Sequence, residues 1–598
     1  MTNSQDLGQR LLAAAEAATP KAETLLAELI RFRTVNGEPG TVDVTQFRRE
    51  VARCFAYLGQ WCRSHGMIWR QYDELVAVAE IPGEGPEVIG VPLHIDVVPA
   101  IENGSWTHPP FQGHIDETAI HGRGAQDDKG PSAAMLVAGA NLLQTGAPRQ
   151  RTIRFIIGST EESGGWDCMK RYLAEESAPD FTLVPDSRFP IVTAEKGYLT
   201  LDIRGKWPLH EGENLPPLDL YDVKAGVADN VVPPTASLLM YGGMSSEPQI
   251  RTATERVTGE HPGSSCKIDA RTHSEWVHKF VVTVQGKAAH ASTPHAGINA
   301  ALLALEVVQP LFPQPVSGTT RFCRLVHRVA QATDGSGLGL AMSDGFVGAT
   351  TACLAMVSVG DEEGWARINV RFPPGMSVAD ALNRVEETLA GDEDARNTNA
   401  QVSIYGTAYE PIRADEAALA PYLEALATSY TDITGRPATL TAIPGTTFAK
   451  AFPNAVCYGG TDAAEPGEVP LAHQVNELLL RKALARNVKI YSLALARLAM
   501  AQVDVGELPP PPKPAPAAAP PAPPTQAASP SAAATAAASG ASMTGRLQGI
   551  AKALAAATTS TGQPSRATPP APKPSQAPRG SEMPTSDSAA DSPGGADA

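Results

Sequence analysis

The chain is 598 residues long, 43% hydrophobic and 19% charged, with a formal net charge of -16. That length exceeds one hydrophobic core and predicts two or three folding units. The acidic balance excludes the basic footprint of a nucleic-acid binder and opposes docking on anionic lipid. Seven cysteines (Cys54, Cys62, Cys168, Cys266, Cys323, Cys353 and Cys457) are scattered without a Cys-x-x-Cys pair. This argues against a thiolate zinc site or a disulfide framework, and for a reducing, cytoplasmic setting. The N-terminal segment MTNSQDLGQRLLAAAEAATPKAE lacks a basic stretch followed by an unbroken apolar run, so no signal peptide is expected. No segment approaches the roughly 18 apolar residues that a membrane helix needs.

In chain order, EVIGVPLHIDVVPA (87–100) reads as an apolar strand that breaks into a loop, and GPSAAMLVAGANLLQ (130–144) as a helix of small and apolar residues. RTIRFIIGST (151–160) and DFTLVPD (180–186) are further strands. That alternation predicts an α/β unit with a mostly parallel sheet covered by helices. Residues 199–408 read differently. HKFVVTVQGKAAHASTPHAGINAALLALEVV (278–308) and WARINVRFPPGMSVADALNRVEETLA (365–390) are each strand-then-helix, with long irregular polar stretches around them. This segment is expected to be an inserted α+β domain. Helices over 417–435 and 476–500 then return to the first unit, so that residues 1–198 and 409–505 together form it. From 506 to 598 the composition is dominated by Pro, Ala, Ser and Thr, which predicts a disordered tail. Within it, 543–560 (MTGRLQGIAKALAAATTS) reads as a weak amphipathic helix, either transient or a docking motif for an unidentified partner.

Ligands of open α/β sheets bind where the strands end at their carboxyl edge. Here each strand end delivers side chains of the metal-binding type. The first ends in PLHID, where alternation puts His94 and Asp96 on one face, suited to a carboxylate that fixes an imidazole tautomer. GRGAQDDKG offers Asp127 and Asp128 just before a helix, STEES offers Glu161 and Glu162, and VPDS offers Asp186. His473 lies in LAHQVNE, in a loop before the last helix. Each feature alone has an ordinary explanation: a helix cap, a solvated acidic face or a structural histidine. Their joint occurrence at independent strand ends does not.

In their order along the chain, HID, GRGAQDDKG, TEES, VPDSRFPIVTAEKG and LAHQVNE resemble the aminoacylase, deacylase and dipeptidase family of co-catalytic two-metal peptidases. The resemblance covers roughly residues 20–500 and implies a catalytic unit with an inserted lid. It also implies two divalent ions, zinc or else manganese or cobalt, about 3.5–4 Å apart and activating a bridging water. By position, Asp127 resembles the bridging carboxylate. His94 and Asp186 look like ligands of one ion, and Glu162 and His473 like those of the other. Glu161 is similar to the family's general base and Asp96 to its His-orienting carboxylate. GKAAHASTP resembles the segment whose lid histidine stabilises the oxyanion, which implies that role for His290 and leaves His295 structural. The peptide between Asp127 and Asp128 is implied to be cis.

The segments PDSRFPIVTAEKG and GTTFAKAFPNAVCYGG look most like the bacterial Xaa-His, carnosinase-like dipeptidases. There a lid asparagine and arginine hold the substrate, and the matching positions are Asn230 and Arg371. Arg371 is expected to grip a free substrate carboxylate as a planar fork, against the plainer reading of a structural ion pair. The implied function is hydrolysis of short peptides. The alternatives are removal of an acetyl or succinyl group from an amino acid by the same chemistry, and an inactive scaffold. The insert of about 210 residues is large enough for two ordinary lid units. One half could therefore stand where a partner's lid would be, which predicts a monomer that hinges near residues 198 and 409.

Overall fold

The computed structural model describes residues 4–36, 42–100, 104–209, 217–314 and 317–500. The tail and its segment 543–560 lie outside the described residues. Two sheets organise the rest. In the first, the strands Ile68–Tyr72, Val76–Ile81, Thr152–Gly158, Val88–His94, Phe181–Val184, Ala455–Cys457, Ile191–Glu195 and Ile412–Arg413 lie side by side in that order. Leu440–Ile443 adds a ninth strand against Ile191–Glu195. The central four, from Thr152–Gly158 to Ala455–Cys457, are mutually parallel, whereas the strands at both edges are largely antiparallel.

Alternation along these strands divides the interior between two faces. Ala77, Ala79, Ile81, Phe155 and Ile157 point into a core covered by the helices Ser4–Arg31, Lys129–Gln144 and Arg481–Ala499. Val76, Val78 and Ile156 point the other way, against Cys168, Met169 and Tyr172 of the helix Asp167–Glu175 and against Phe448. A strand buried on both faces reads as a continuous apolar run, which is why 88–94 and 152–158 were visible in the sequence.

The chain leaves this sheet at Glu195, and at Gly197 it opens a strand of the second. That sheet is wholly antiparallel and has eight strands, in the order Ser265–Thr272, His278–Gln285, Thr235–Gly242, Leu218–Ala225, Thr351–Val359, Glu363–Phe372, Gly197–Lys206 and Gln401–Tyr409. The helices Glu247–Glu260, Ala300–Leu311, Gly318–Ala330 and Val378–Gly391 contribute to its separate core. After Tyr409 the chain re-enters the first sheet at Ile412.

Two expectations need correction. The stretches read as irregular and polar within 199–408 contain strands and the helices Glu247–Glu260 and Gly318–Ala330. Their apolar residues are interleaved with polar ones because one face of this sheet and of each helix meets solvent. The helix expected over 476–500 begins only at Arg481. Leu478–Leu480 is instead a strand paired with Ala119–His121, and Leu480 has extended geometry at ψ 135°. His473 therefore precedes a short strand, not a helix.

Candidate active site

Parallel pairing aligns His94 with Gly158, so the carboxyl ends of neighbouring strands come to one edge. His94 closes its strand. Glu161 and Glu162 follow Thr152–Gly158, Asp186 follows Phe181–Val184, and Asp127 sits in the turn before the helix Lys129–Gln144. The Asp127–Asp128 peptide is cis, as the resemblance implies.

His94 is fully buried, and its orientation is fixed from two sides. Its backbone N–H donates to Asp128 Oδ2 at 3.2 Å, and its Nδ1 lies 3.0 Å from the Asp96 carbonyl oxygen and 3.5 Å from Asp96 Oδ1. A proton on Nδ1 leaves the Nε2 lone pair facing Asp127 Oδ1 at 3.1 Å and Asp186 Oδ2 at 3.5 Å. His473 Nε2 lies 3.1 Å from the other Asp127 oxygen, Oδ2, and 3.2 Å from Glu162 Oε2. Its backbone is left-handed, at φ 64°, an uncommon state for histidine that concentrates at functional sites.

Lone pairs set about 3 Å apart in a buried space repel unless a proton or a cation lies between them. Neither His94 Nε2 nor Glu162 Oε1 makes a hydrogen bond. His94, Asp127 and Glu162 form one group with ligand atoms within 4.8 Å of one another, and His94, Glu161 and Asp186 form a second. The donor set of imidazoles and carboxylates fits two divalent ions of the zinc or manganese type.

The electrostatics have the same origin. Burial raises the Glu161 carboxyl well above the usual range; His94 opposes this, and Asp186, Glu162 and Asp127 add to it. Burial also raises Glu162 and Asp186. Asp127 is the exception: burial opposes its ionisation, but His473 and His94 outweigh that and hold it below the usual range.

Asp96 does more than face His94. Its Oδ1 accepts from Glu161 N at 3.1 Å, and its Oδ2 from Glu162 N at 3.0 Å and Asn36 Nδ2 at 2.9 Å. One carboxylate thus sets both the imidazole and the turn carrying the glutamate pair. Glu477, fully buried, plays the corresponding part opposite. Its Oε1 accepts from Gln126 N at 2.8 Å and Asp127 N at 3.3 Å, and its Oε2 pairs with Arg123 at 2.5 Å. Sequence reading missed Asn36, Asp128 and Glu477 in these roles. Glu477 ends the LAHQVNE segment and Asp128 lies in the DD pair, so both were in view; nothing marks Asn36.

The second sheet contributes Arg371 from a strand, and Asn230 and His290 from the segments that follow Leu218–Ala225 and His278–Gln285. Ala291 N donates to the Asn230 carbonyl at 2.9 Å, which sets the Asn230 and His290 segments side by side. Ser292 N donates to His290 Nδ1 at 3.1 Å, so the proton of a neutral ring sits on Nε2. His290 is exposed, yet desolvation, followed by the charges of Arg371 and His473, pushes its pKa down to about 4. His295 lies exposed on a short 3-10 turn. Arg371 is buried and stacks 4.2 Å from the Tyr198 ring, with Nε 3.2 Å from Asn369 Oδ1. Its Nη1 reaches Pro444 O and Thr446 Oγ1, both at 3.4 Å, across to the first sheet's side of the cleft. The charges of Asp229 and Glu195 also act on Arg371, after the Tyr198 ring.

A parallel-centred sheet thus gathers carboxylates and imidazoles at its strand ends, a donor set of the kind that metal-dependent hydrolases use. The chain belongs to Peptidase family M20/M25/M40, which matches residues 91–497. It is 28% identical over 445 residues to a Staphylococcus aureus (strain USA300) protein named "Putative dipeptidase", covering 74% of this chain and 89% of that one. Among solved structures, the di-peptidase Dug1p of Saccharomyces cerevisiae shares the fold with a TM-score of 0.51 at 12% identity, over 83% of this chain and 99% of that one. Human carnosine dipeptidase 1 aligns over 82% of this chain and 99% of its own, with a TM-score of 0.49 and 15% identity.

The His290 environment makes a direct prediction. Because its pKa is lowered, the ring stays neutral at pH 7 and takes up a proton only as the pH falls toward 4. Histidine NMR with His290→Gln for assignment should show no His290 titration between pH 6 and 8. A midpoint near the ordinary 6.5 would contradict the reading.

Proposed function

We propose that the chain is a two-metal dipeptidase, and that residues 199–408 form a lid over a catalytic unit made of 1–198 and 409–505. The observation that carries this is Asp127, whose two oxygens face two different imidazoles, His94 and His473, at 3.1 Å each. That is the disposition a bridging carboxylate requires. Asp127 would be shared, His94 and Asp186 would complete one ion's ligands, and Glu162 and His473 the other's. Zinc, manganese and cobalt all suit this donor set. When bound, two such ions acidify a shared water and polarise the scissile carbonyl.

The chain's own residues supply the rest. Glu161, raised by burial and absent from the shared pair of contacts around Asp127, accepts the water proton and returns it to the departing amine. Asp96 holds the Glu161 backbone, so the base is set by a hydrogen bond at 3.1 Å and not by its own flexibility. His290, neutral and protonated on Nε2, donates to the developing oxyanion from the lid side. Arg371, a buried guanidinium stacked on Tyr198, receives the substrate's free carboxylate, and Asn230 lies beside His290 to orient the peptide. An N-acyl amino acid would present the same carboxylate. The dipeptide reading is favoured by the relative's name, and a panel of dipeptides against N-acetyl and N-succinyl amino acids tests it.

Glu161→Ala should lower kcat about 10²–10⁴-fold while metal content and fold are retained. Asp127→Ala should lose metal together with activity. Near-normal turnover in the first variant would remove Glu161 from the role of base.

Support for a lid that acts within one chain comes from Arg371, whose Nη1 reaches Pro444 O and Thr446 Oγ1 of the same chain, both at 3.4 Å. A Glu161→Ala protein mixed with a His290→Ala protein, each inactive alone, should therefore stay inactive. Recovered activity would mean that His290 is supplied by a second subunit.

A further inference from the structure

Three of the chain's 13 histidines meet in a group separate from the catalytic cluster, at the hairpin whose second strand pairs with Leu478–Leu480. His114 and His121 are directly opposed in the short hairpin His114–Ile115 and Ala119–His121. His108 comes from a separate loop and lies 4.0 Å from the His114 ring and 4.7 Å from the His121 ring, centroid to centroid. Asp116, in the hairpin turn, puts Oδ2 2.8 Å from His121 Nε2. Its other oxygen accepts from Thr118 N at 2.7 Å, Ala119 N at 2.8 Å and Thr118 Oγ1 at 2.9 Å, so the carboxylate is fixed before any ligand arrives.

An imidazole–carboxylate pair alone would be an ordinary hairpin contact. A third donor brought in from another loop is not. His108, Asp116 and His121 each offer a ligand atom, and these lie within 4.8 Å of one another. Among the described residues, no lysine or arginine forms an ion pair with Asp116. We propose that His108, Asp116 and His121 bind a third divalent ion of the zinc class, separate from the catalytic pair, with His114 stacked behind His108 to fix its ring plane. Two imidazoles and one carboxylate select a borderline transition ion; calcium or magnesium would demand an oxygen shell.

The position gives the ion a structural task. His121 is followed directly by the turn leading to Asp127, and its strand pairs with Leu478–Leu480, just after His473. Gly122 N donates to Glu477 O at 3.0 Å, and Thr107 N to Asn476 Oδ1 at 2.7 Å. Joining His108 to the hairpin therefore clamps both segments that deliver Asp127 and His473, without touching the reacting groups.

The full chain, stripped with a chelator, would be titrated with Zn²⁺ beside a His108→Ala/His121→Ala variant, with bound zinc counted after gel filtration. The variant should hold one equivalent fewer than the unaltered chain. Equal counts would overturn the proposal. Anomalous scattering at the zinc edge from crystals of the unaltered protein makes the test independent of how the variant folds. A peak enclosed by His108, Asp116 and His121 is expected, and its absence overturns the assignment.

Discussion

Everything at the catalytic edge depends on one carboxylate set between two imidazoles. Asp127 can face His94 with one oxygen and His473 with the other only if two distant segments are brought within about 3 Å of it. The first segment is a buried parallel strand that ends at His94. The second is a loop more than 300 residues later, held by Glu477 to the backbone of Gln126 and Asp127 and to Arg123. A buried group of this kind, with Glu161, Glu162 and Asp186 crowded around it, is unstable as bare charge and complete with cations. The supporting contacts follow from that constraint. Asp96 and Glu477 are each buried, and each accepts from two backbone N–H groups of the segment it positions.

The second sheet answers a different requirement. Ion-binding groups on one side of a peptide bond leave the developing oxyanion and the substrate's carboxylate to be met from elsewhere. In the proposed mechanism His290 and Arg371 meet these groups. The ring tautomer is set by Ser292 N, and the guanidinium is held by stacking on Tyr198 and by Asn369. The two sheets also touch near the chain's crossing points: Gly165 N donates to Tyr409 Oη at 2.8 Å, and Trp166 stacks on the Tyr409 ring at 4.2 Å. These contacts place the strand Gln401–Tyr409 against the loop that follows the glutamate pair.

What the sequence disclosed, and what it hid, follows from where the information resides. The strands ending at His94, Gly158 and Val184 are buried on both faces, so their apolar runs stand out, and their polar endings mark the site. The second sheet was only partly legible because its strands and helices face solvent on one side. Leu478–Leu480 was read as helix because three leucines before a helical repeat look helical. Its strand state depends on pairing with Ala119–His121, more than 350 residues earlier, which no local pattern records. Asn36 was invisible for the same reason: it matters only through its contact with Asp96. The His108, Asp116 and His121 group was passed over because its spacing matches no familiar metal motif; a hairpin register and a separate loop assemble it.

The central claim is that the cluster around Asp127 is a hydrolytic centre completed by divalent ions and serving substrates with a free carboxylate. The most direct measurement follows cleavage of a dipeptide and of its C-terminal amide by the full chain, before chelation, after chelation, and after Zn²⁺ or Mn²⁺ is restored. The account predicts that chelation abolishes cleavage, that the restored ion returns it, and that the amide is cleaved far more slowly than the free acid. Undiminished cleavage by metal-stripped protein would contradict it.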